Sequence, residues 1–291
     1  MPTAAIIIPH FEDAARLARC LAALAPQVAA LPAGEVEVVV VDNGSRPGFA
    51  DGLPAVPGLR LLSEARRGAA EARNRGIAET TAERLFFLDA DCIPAPDWLA
   101  VALALSDRDE LIGGRVAVFD ETAPPRTGAQ GFEAVFAFDN RGYVQRKGFS
   151  VTANLLARRE IYRRIGGFRT GLSEDKDWCH RATAAGFRLG YEDGLRVAHP
   201  SRADWGALAR KWRRLTEETF ALRPATMPAR LVWALRAVAV VASILPHGLR
   251  VLTAPVLRAG ERGPTLAVLA RLRLARAGWM LRQALTGRAA L

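Results

Sequence analysis

Over the first two hundred positions apolar residues gather in short unbroken runs, and between the runs they recur at helical spacing. The runs 4–8, 36–41 and 85–88 and the shorter 59–62 read as strands buried on both faces, since none shows the strict alternation of a half-exposed strand. Helices are expected at about 13–24, where Leu17, Cys20, Leu21 and Leu24 share one face, at an Ala-rich stretch of about 69–83, and at about 97–105. A further strand is expected at 112–118, a Pro/Gly-rich loop at 122–131, and a return to the sheet at 149–157. A short helix at 159–165 is ended by Gly166-Gly167-Phe168, a second opens near Ser173, and 195–198 is strand-like. Non-alternating strands separated by helices predict an α/β fold: a Rossmann-type, mostly parallel sheet with helices on both faces.

Beyond residue 205 the pattern becomes helical throughout. Leu208, Trp212, Leu215 and Leu222 recur on one side of a segment whose other positions hold Arg210, Lys211, Arg213, Arg214, Glu217 and Glu218. The stretch 231–245 is apolar except for Arg236, and its 15 residues fall short of the ~20 that cross a bilayer. Pro246 is expected to stop it, and the apolar-rich segments 249–257 and 266–285 are interrupted by arginines. The expected organisation is therefore residues 1–204 as an α/β domain and residues 205–291 as a C-terminal helical extension.

Charge sharpens this division. The net charge of +10 is carried by the extension: residues 205–291 hold 15 Lys and Arg against 3 Asp and Glu, while residues 1–204 hold 25 against 27. Such a surface suits anionic lipid as well as nucleic acid. No recognisable nucleic-acid module is present in the extension, so nucleic acid is not the expected partner. A soluble helical cap or a dimer interface is the bland alternative. A hydrophobic content of 50% allows a sizeable core and argues against disorder. Cys20, Cys92 and Cys179 lie far apart without zinc or disulfide spacing, which suits a reducing cytosol. Met1-Pro2-Thr3 runs straight into the first strand without a basic leader, the pattern of a chain with no secretory signal.

In open α/β sheets ligands gather beyond the carboxyl ends of the strands, and Pro9, Asp42 and Asp89-Ala90-Asp91 each follow one. The two carboxylates of Asp89 and Asp91 suit a divalent cation, Mg²⁺ or Mn²⁺, which takes one or two oxygens from protein and fills its shell with water and phosphate. That chemistry implies a nucleoside-diphosphate ligand. A solvated turn is the alternative for this pair, and an Asx turn the alternative for Asp42-Asn43-Gly44.

The ordered set Ile6-Ile7-Ile8-Pro9, Val39-Val40-Val41-Asp42-Asn43-Gly44-Ser45, Ala72-Arg73-Asn74-Arg75-Gly76, Phe87-Leu88-Asp89-Ala90-Asp91, and Gly166-Gly167-Phe168 followed by Ser173-Glu174-Asp175-Lys176-Asp177 resembles the family 2 glycosyltransferases of the GT-A fold. The likeness covers about the first 200 residues. It implies an inverting, metal-dependent transfer of a sugar from a nucleoside-diphosphate sugar, most simply a UDP-linked one, to a lipid-linked or glycan acceptor. By the same resemblance Asp42 contacts the base or ribose, Pro9 shapes the pocket floor, and Arg73 and Asn74 line the nucleotide side. Asp91, with Asp89 directly or through water, holds the cation, and His199 completes the metal site. Glu174 and Asp175 match the family's paired acids, with Asp175 as the general base and Ser173 able to cap the helix they open. Asp177 is expected to pair with Arg181 one turn on.

Two positions depart from the family's pattern. Its frequent Pro-x-Tyr-Asn opening is here Pro9-His10-Phe11-Glu12, and the Gln-x-x-Arg-Trp signature of processive synthases is replaced by Arg210-Lys211-Trp212-Arg213-Arg214. Single-sugar addition is the expectation, at the inner face of the cell membrane, with the enzyme cytoplasmic and peripherally attached through its basic extension. The alternatives are a metal-dependent nucleotidyltransferase, against which the lack of a Gly-rich, lysine-bearing phosphate loop speaks, and a catalytically silent binding protein of the same fold. Acceptor contacts are expected from the segment 122–147.

Overall fold

The computed structural model describes residues 2–105 and 108–291. The chain divides into two compact units, one of Met1–Ala117, Asp139–Thr170 and Glu174–His199, the other of Val118–Phe138, Gly171–Ser173 and Pro200–Leu291.

The strands β1 (Ala4–His10), β2 (Val36–Asp42), β3 (Leu59–Ser63), β4 (Arg84–Leu88), β5 (Ile93–Pro94), β6 (Leu111–Phe119), β7 (Asn154–Arg158) and β8 (Leu189–Pro200) form one sheet in the order β3-β2-β1-β4-β7-β6-β8-β5. From β3 to β4 every pairing is parallel, with Ile7 opposite Val39 on one side and Phe87 on the other. The expectation of a mostly parallel sheet needs correcting in the other half. There β7 runs antiparallel to both β4 and β6, and β5 is antiparallel to β8. The reason is that an unbroken apolar run reports burial on both faces and carries no information about direction. Leu155, Leu156 and Ala157 of β7 are as buried as the parallel strands beside them.

The first helix follows its predicted face. In α1 (Ala14–Ala29) Leu17, Cys20, Leu21 and Leu24 are buried, and the Asp13 carboxylate caps the helix by accepting from Arg16 N at 3.3 Å. The helix α2 (Ala69–Ala78) stops short of the expected 83. Thr80 lies just past its end and turns its hydroxyl back to the Gly76 carbonyl at 2.9 Å, a local bond that competes with further helix. After α3 (Trp98–Leu105) come α5 (Asn140–Lys147), α6 (Arg159–Ile165) and α7 (Glu174–Ala184), and the span of α6 is the predicted one. Between α6 and α7 the rings of Phe87, Phe168 and Trp178 meet, with centroids 4.7 to 6.1 Å apart, and anchor both ends of the Gly-Gly-Phe connection in the core.

The second unit holds α4 (Gly128–Phe136), α8 (Trp205–Ala221), α9 (Met227–Ala242), α10 (Ile244–Thr253) and α11 (Ala259–Thr286). The loop expected to run to 131 gives way to α4 at Gly128, because Thr127 and Gln130 form a reciprocal capping box with bonds of 3.2 and 3.0 Å. Pro246 does not stop the apolar stretch. It sits in the first turn of α10, where a helix has no partner for its N–H groups and proline's missing donor costs nothing. Trp233 and Ala237 of α9 pack on Ala277 and Met280 of α11, and Phe132 of α4 packs with Leu208, Leu269 and Leu272.

Candidate functional site

The carboxyl ends of the parallel strands bring the predicted residues of the first unit to one rim. Asp42 ends β2 opposite His10, the last residue of β1, while Asp89 begins the turn after β4 on the other side of β1. Adjacent strands lie about 4.8 Å apart, so Asp42 and Asp89 stand roughly 10 Å from each other, the span of a nucleotide's sugar and phosphates. Pro9 lies in β1 opposite Val41, beyond the last residue that β1 pairs with β4, a place where its missing N–H leaves no ladder bond unmade.

Asp42 is fixed on three sides. His10 Nδ1 stands 3.2 Å from Oδ1, and the backbone N–H groups of Gly44 and Ser45 donate to Oδ2 at 3.2 and 3.1 Å. Burial pushes the carboxyl up, yet the bonds from Ser45, His10 and Gly44 outweigh it and hold Asp42 below the usual carboxylate range. The Asx turn posed by the sequence as one reading of Asp42-Asn43-Gly44 is present, with the carboxylate accepting from the backbone of Gly44 and Ser45. Its neighbour Asn43 staples the next loop, donating to the carbonyls of Glu64 and Arg66 at 2.9 and 2.7 Å and accepting from Gly68 N at 2.6 Å.

Arg73, on the buried side of α2, joins two motifs that lie 16 and 101 positions further along the chain. One arm of its guanidinium donates to Asp89 Oδ1 at 2.6 Å and the other to Glu174 Oε1. Its side chain is only 4% exposed. Burial works against its charge, and Asp89, Glu174 and Asp175 together more than restore it. Asn74, expected on the nucleotide side, turns both polar atoms to the backbone of one residue: it donates to Phe168 O and accepts from Phe168 N, each at 2.9 Å. A Cβ on Gly167 would lie 2.4 Å from Asn74 Oδ1, so the staple requires glycine there. On the other side of that loop Arg181 donates to the carbonyls of Ile165 and Gly167 and binds Asp177 at 2.8 Å, the structural pairing expected of these two residues.

Asp91 and His199 meet with Oδ2 and Nε2 3.3 Å apart, although 108 positions separate them. A carboxylate oxygen beside an imidazole nitrogen is a donor pair suited to Mn²⁺ or Mg²⁺ when phosphate and water supply the remaining ligands. Among the described residues no group of three His, Cys, Asp or Glu is arranged to hold a metal ion; Asp91 and His199 stand as a pair, with Asp89 two residues from Asp91.

Asp175 lies in the first turn of α7 next to Glu174. Burial is the largest influence on its carboxyl; Arg73 opposes it, Glu174 and Asp89 add to it, and the outcome is a pKa pushed up to about 6. Thr152 Oγ1 donates to Asp175 Oδ1 at 2.8 Å, leaving Oδ2 for another partner.

Sequence reasoning missed His10, which it treated only as a departure from a family pattern, and Thr152. The signal for Thr152 was present: Ser150, Thr152 and Asn154 place three polar side chains inside a stretch expected to be sheet, and all three are fully or almost fully buried. Buried polar residues must be satisfied, so their presence there announces partners.

Comparison with known proteins agrees with this geometry. Residues 5–168 match the family model described as glycosyl transferase family 2. The chain is 31% identical over 221 residues to the glycosyltransferase AglE of Haloferax volcanii, covering 72% of this chain and 71% of that protein. It is 30% identical over 226 residues to the pre-mycofactocin glycosyltransferase of Mycobacterium tuberculosis, covering 71% of this chain but only 44% of the mycobacterial protein's length. Among solved structures, the mannosyltransferase PcManGT from Pyrobaculum calidifontis, in complex with GDP-Man and Mn²⁺, superposes with a TM-score of 0.55 at 20% identity over 98% of this chain and 73% of that one. S. aureus TarS 1-349 in complex with UDP-GlcNAc gives 0.53 at 16% identity over 99% and 93%. These likenesses show a GT-A-like fold. With the rim of acids at the strand ends and a family match over most of the first unit, the chain belongs to glycosyl transferase family 2.

Proposed function

We propose that this glycosyltransferase moves a single sugar, with inversion, from a nucleoside-diphosphate sugar to a hydroxyl of a lipid-linked or glycan acceptor at the cytoplasmic face of a membrane. The observation that carries the reading is the Arg73 bridge, which holds Asp89 of the strand-end pair and Glu174 of the helix-start pair at one place. One neighbouring fold binds GDP-Man and another UDP-GlcNAc, which supports a nucleotide-sugar donor.

Asp42 receives the base or ribose, on a floor formed by Pro9 and with Arg73 and Asn74 shaping the nucleotide side. Asp91 with His199, and Asp89 directly or through water, would hold Mn²⁺ or Mg²⁺, a reading that the Mn²⁺ in the mannosyltransferase structure supports. When bound, such a cation offsets the charge that gathers on the departing diphosphate. Asp175 takes the proton of the acceptor hydroxyl as that oxygen bonds to the anomeric carbon and the bond from that carbon to the diphosphate breaks. Glu174 is held by Arg73, and Asp175 Oδ1 by Thr152, so Asp175 Oδ2 is the oxygen that accepts.

Attachment to the membrane is supported by the second unit. Leu231, Leu235, Val238, Leu245, Leu249 and Leu252 follow one another along α9 and α10 at helical spacing, and all point outward, with Leu245 81% exposed. Two of the three arginines of these helices are tied to the rest of the unit: Arg230 Nε donates to Ala284 O at 2.6 Å and Arg250 Nη2 to Val135 O at 2.9 Å. Met227–Thr253 is long and apolar enough to cross a membrane, with a mean hydropathy of 1.6. Its opposite face is packed at Trp233, Ala237, Gly248 and Val251, which favours lying on a bilayer over crossing it. The basic extension makes anionic lipid the fitting surface.

Release of nucleoside diphosphate from a panel of nucleotide sugars in Mn²⁺ tests the catalytic reading. Wild type is expected to turn over at least one donor, and Asp175→Asn to bind that donor without transferring the sugar. Normal transfer by Asp175→Asn would remove Asp175 from the role of base.

A further inference from the structure

Four arginines of the second unit stand close together with no ion-pair partner among the acids of the described residues. Arg223 follows α8, Arg236 lies on α9, and Arg273 and Arg276 lie one turn apart on α11. They are layered on two tryptophans. Arg223 and Arg236 stand over Trp233 at 4.6 and 5.6 Å from the ring centroid, and Arg276 and Arg273 over Trp212 at 4.8 and 5.9 Å. Arg273 is only 7% exposed, and the Nε atoms of Arg223, Arg273 and Arg276 are buried with no hydrogen-bond partner among the described residues.

The three carboxylates of residues 205–291 are engaged with other arginines: Glu217 with Arg213, Glu218 with Arg214, and Glu261 with Arg126. Burial lowers Arg276 to about 10, and Arg273 and Arg236 push it the same way. Burial likewise lowers Arg223, with Arg236 adding to the effect. His247, 3.1 Å from Arg273, is also held low, first by burial and then by Arg273 and Arg250. Desolvated like charges with no counterion are costly, and arginine forks are the groups that match phosphate oxygens. Arg236 is exposed, which leaves the cluster open to solvent.

We propose that Arg223, Arg236, Arg273 and Arg276, with Trp212 and Trp233 beneath them, form an anion site that takes a phosphate or diphosphate group. The group is either the head of a lipid or a free anion. The site is separate from the donor site in its residues, and it stands or falls independently of the transfer reaction.

Titration calorimetry of the full chain with inorganic diphosphate, and flotation with phosphatidylcholine vesicles with and without phosphatidic acid, test it. Each is run on wild type, on Asp91→Ala to remove any contribution from the donor site, and on Arg276→Gln. Binding is expected to survive Asp91→Ala and to weaken roughly tenfold or more in Arg276→Gln, the loss of one charge-assisted contact. Uptake on phosphatidic acid that inorganic diphosphate displaces assigns the lipid head group, and calorimetric binding without uptake assigns a free anion. The melting temperature of Arg276→Gln without anion is expected to equal or exceed wild type, because a buried unpaired charge is removed. No binding of either probe to wild type, or undiminished binding by Arg276→Gln together with a lower melting temperature, would overturn the proposal, the latter marking the arginine as packing alone.

Discussion

Asp175 is the residue at which opposing influences decide most. Burial raises its carboxyl and Arg73 pulls it down, and a value of about 6 leaves it ionised at neutral pH yet basic enough to accept a proton. The sign follows directly: below about 6 the carboxyl keeps its own proton and cannot take another. Transfer is therefore expected to fall about tenfold per pH unit below that point and to level off above it. Glu174 is one of the charges that raise Asp175, so Glu174→Gln should shift the profile of kcat/KM to lower pH, while Asp175→Asn should abolish it. A profile unmoved by Glu174→Gln would mean that the two acids do not act on one another. Asp42, Asp91 and the Glu174-Asp175 pair were legible in the sequence because each sits at a turn or helix start within a recognisable motif. What held them was not. Arg73 was readable as part of its motif, but its grip on both Asp89 and Glu174 depends on the fold, and His10 and Thr152 reach their aspartates across chain separations of 32 and 23.

At the scale of elements, one buried side chain ties together three strands of the half of the sheet that holds the antiparallel pairings. Asn154, fully buried at the start of β7, accepts from Trp98 Nε1 at 2.9 Å and donates to the carbonyls of Arg115 in β6 and Leu195 in β8 at 3.0 and 2.8 Å. Gly114 makes room for it, since a Cβ there would lie 2.2 Å from Asn154 Nδ2 and 2.4 Å from Leu195 O. Asn154→Leu would leave an indole N–H and two carbonyls buried and unpaired, at a cost of about 1–3 kcal/mol each. Thermal melting should register this as a drop of several degrees or more, and an unchanged melting temperature would show that the asparagine is not what ties these strands. Burial of a strand can be read from its composition; its direction and neighbours are set by such long-range bonds. This is why most strands of both halves of the sheet were anticipated but the antiparallel direction of the second half was not. Helices behaved similarly: the face of α1 was plain from spacing and the end of α6 from its Gly-Gly-Phe stop, whereas α5, with few apolar residues, gave no periodic signal.

For the whole molecule, the division of labour is visible in its charge and its surface. The acids at the strand ends belong to the first unit, while the excess of basic residues and the outward apolar stripe belong to the second. In flotation with vesicles containing phosphatidylglycerol, Leu245→Glu with Leu249→Glu should remove most binding while donor turnover in solution is retained. Equal binding by wild type and this variant would exclude the stripe as the contact. A wild type that stays off vesicles but dissociates from a dimer on the same substitution would instead make the stripe a protein interface. The sequence exposed the basic extension but misjudged its course, since Pro246 allows α10 to carry the stripe onward.

The central claim is that the strand-end acids form one cation-and-diphosphate site. Calorimetric titration of nucleoside diphosphate into the full chain, with Mn²⁺ and with chelator, tests it most directly, comparing wild type with Asp91→Ala. Binding that requires Mn²⁺ in wild type and is lost in Asp91→Ala is the predicted result. Equal binding with and without the metal, or equal binding by both proteins, would contradict it.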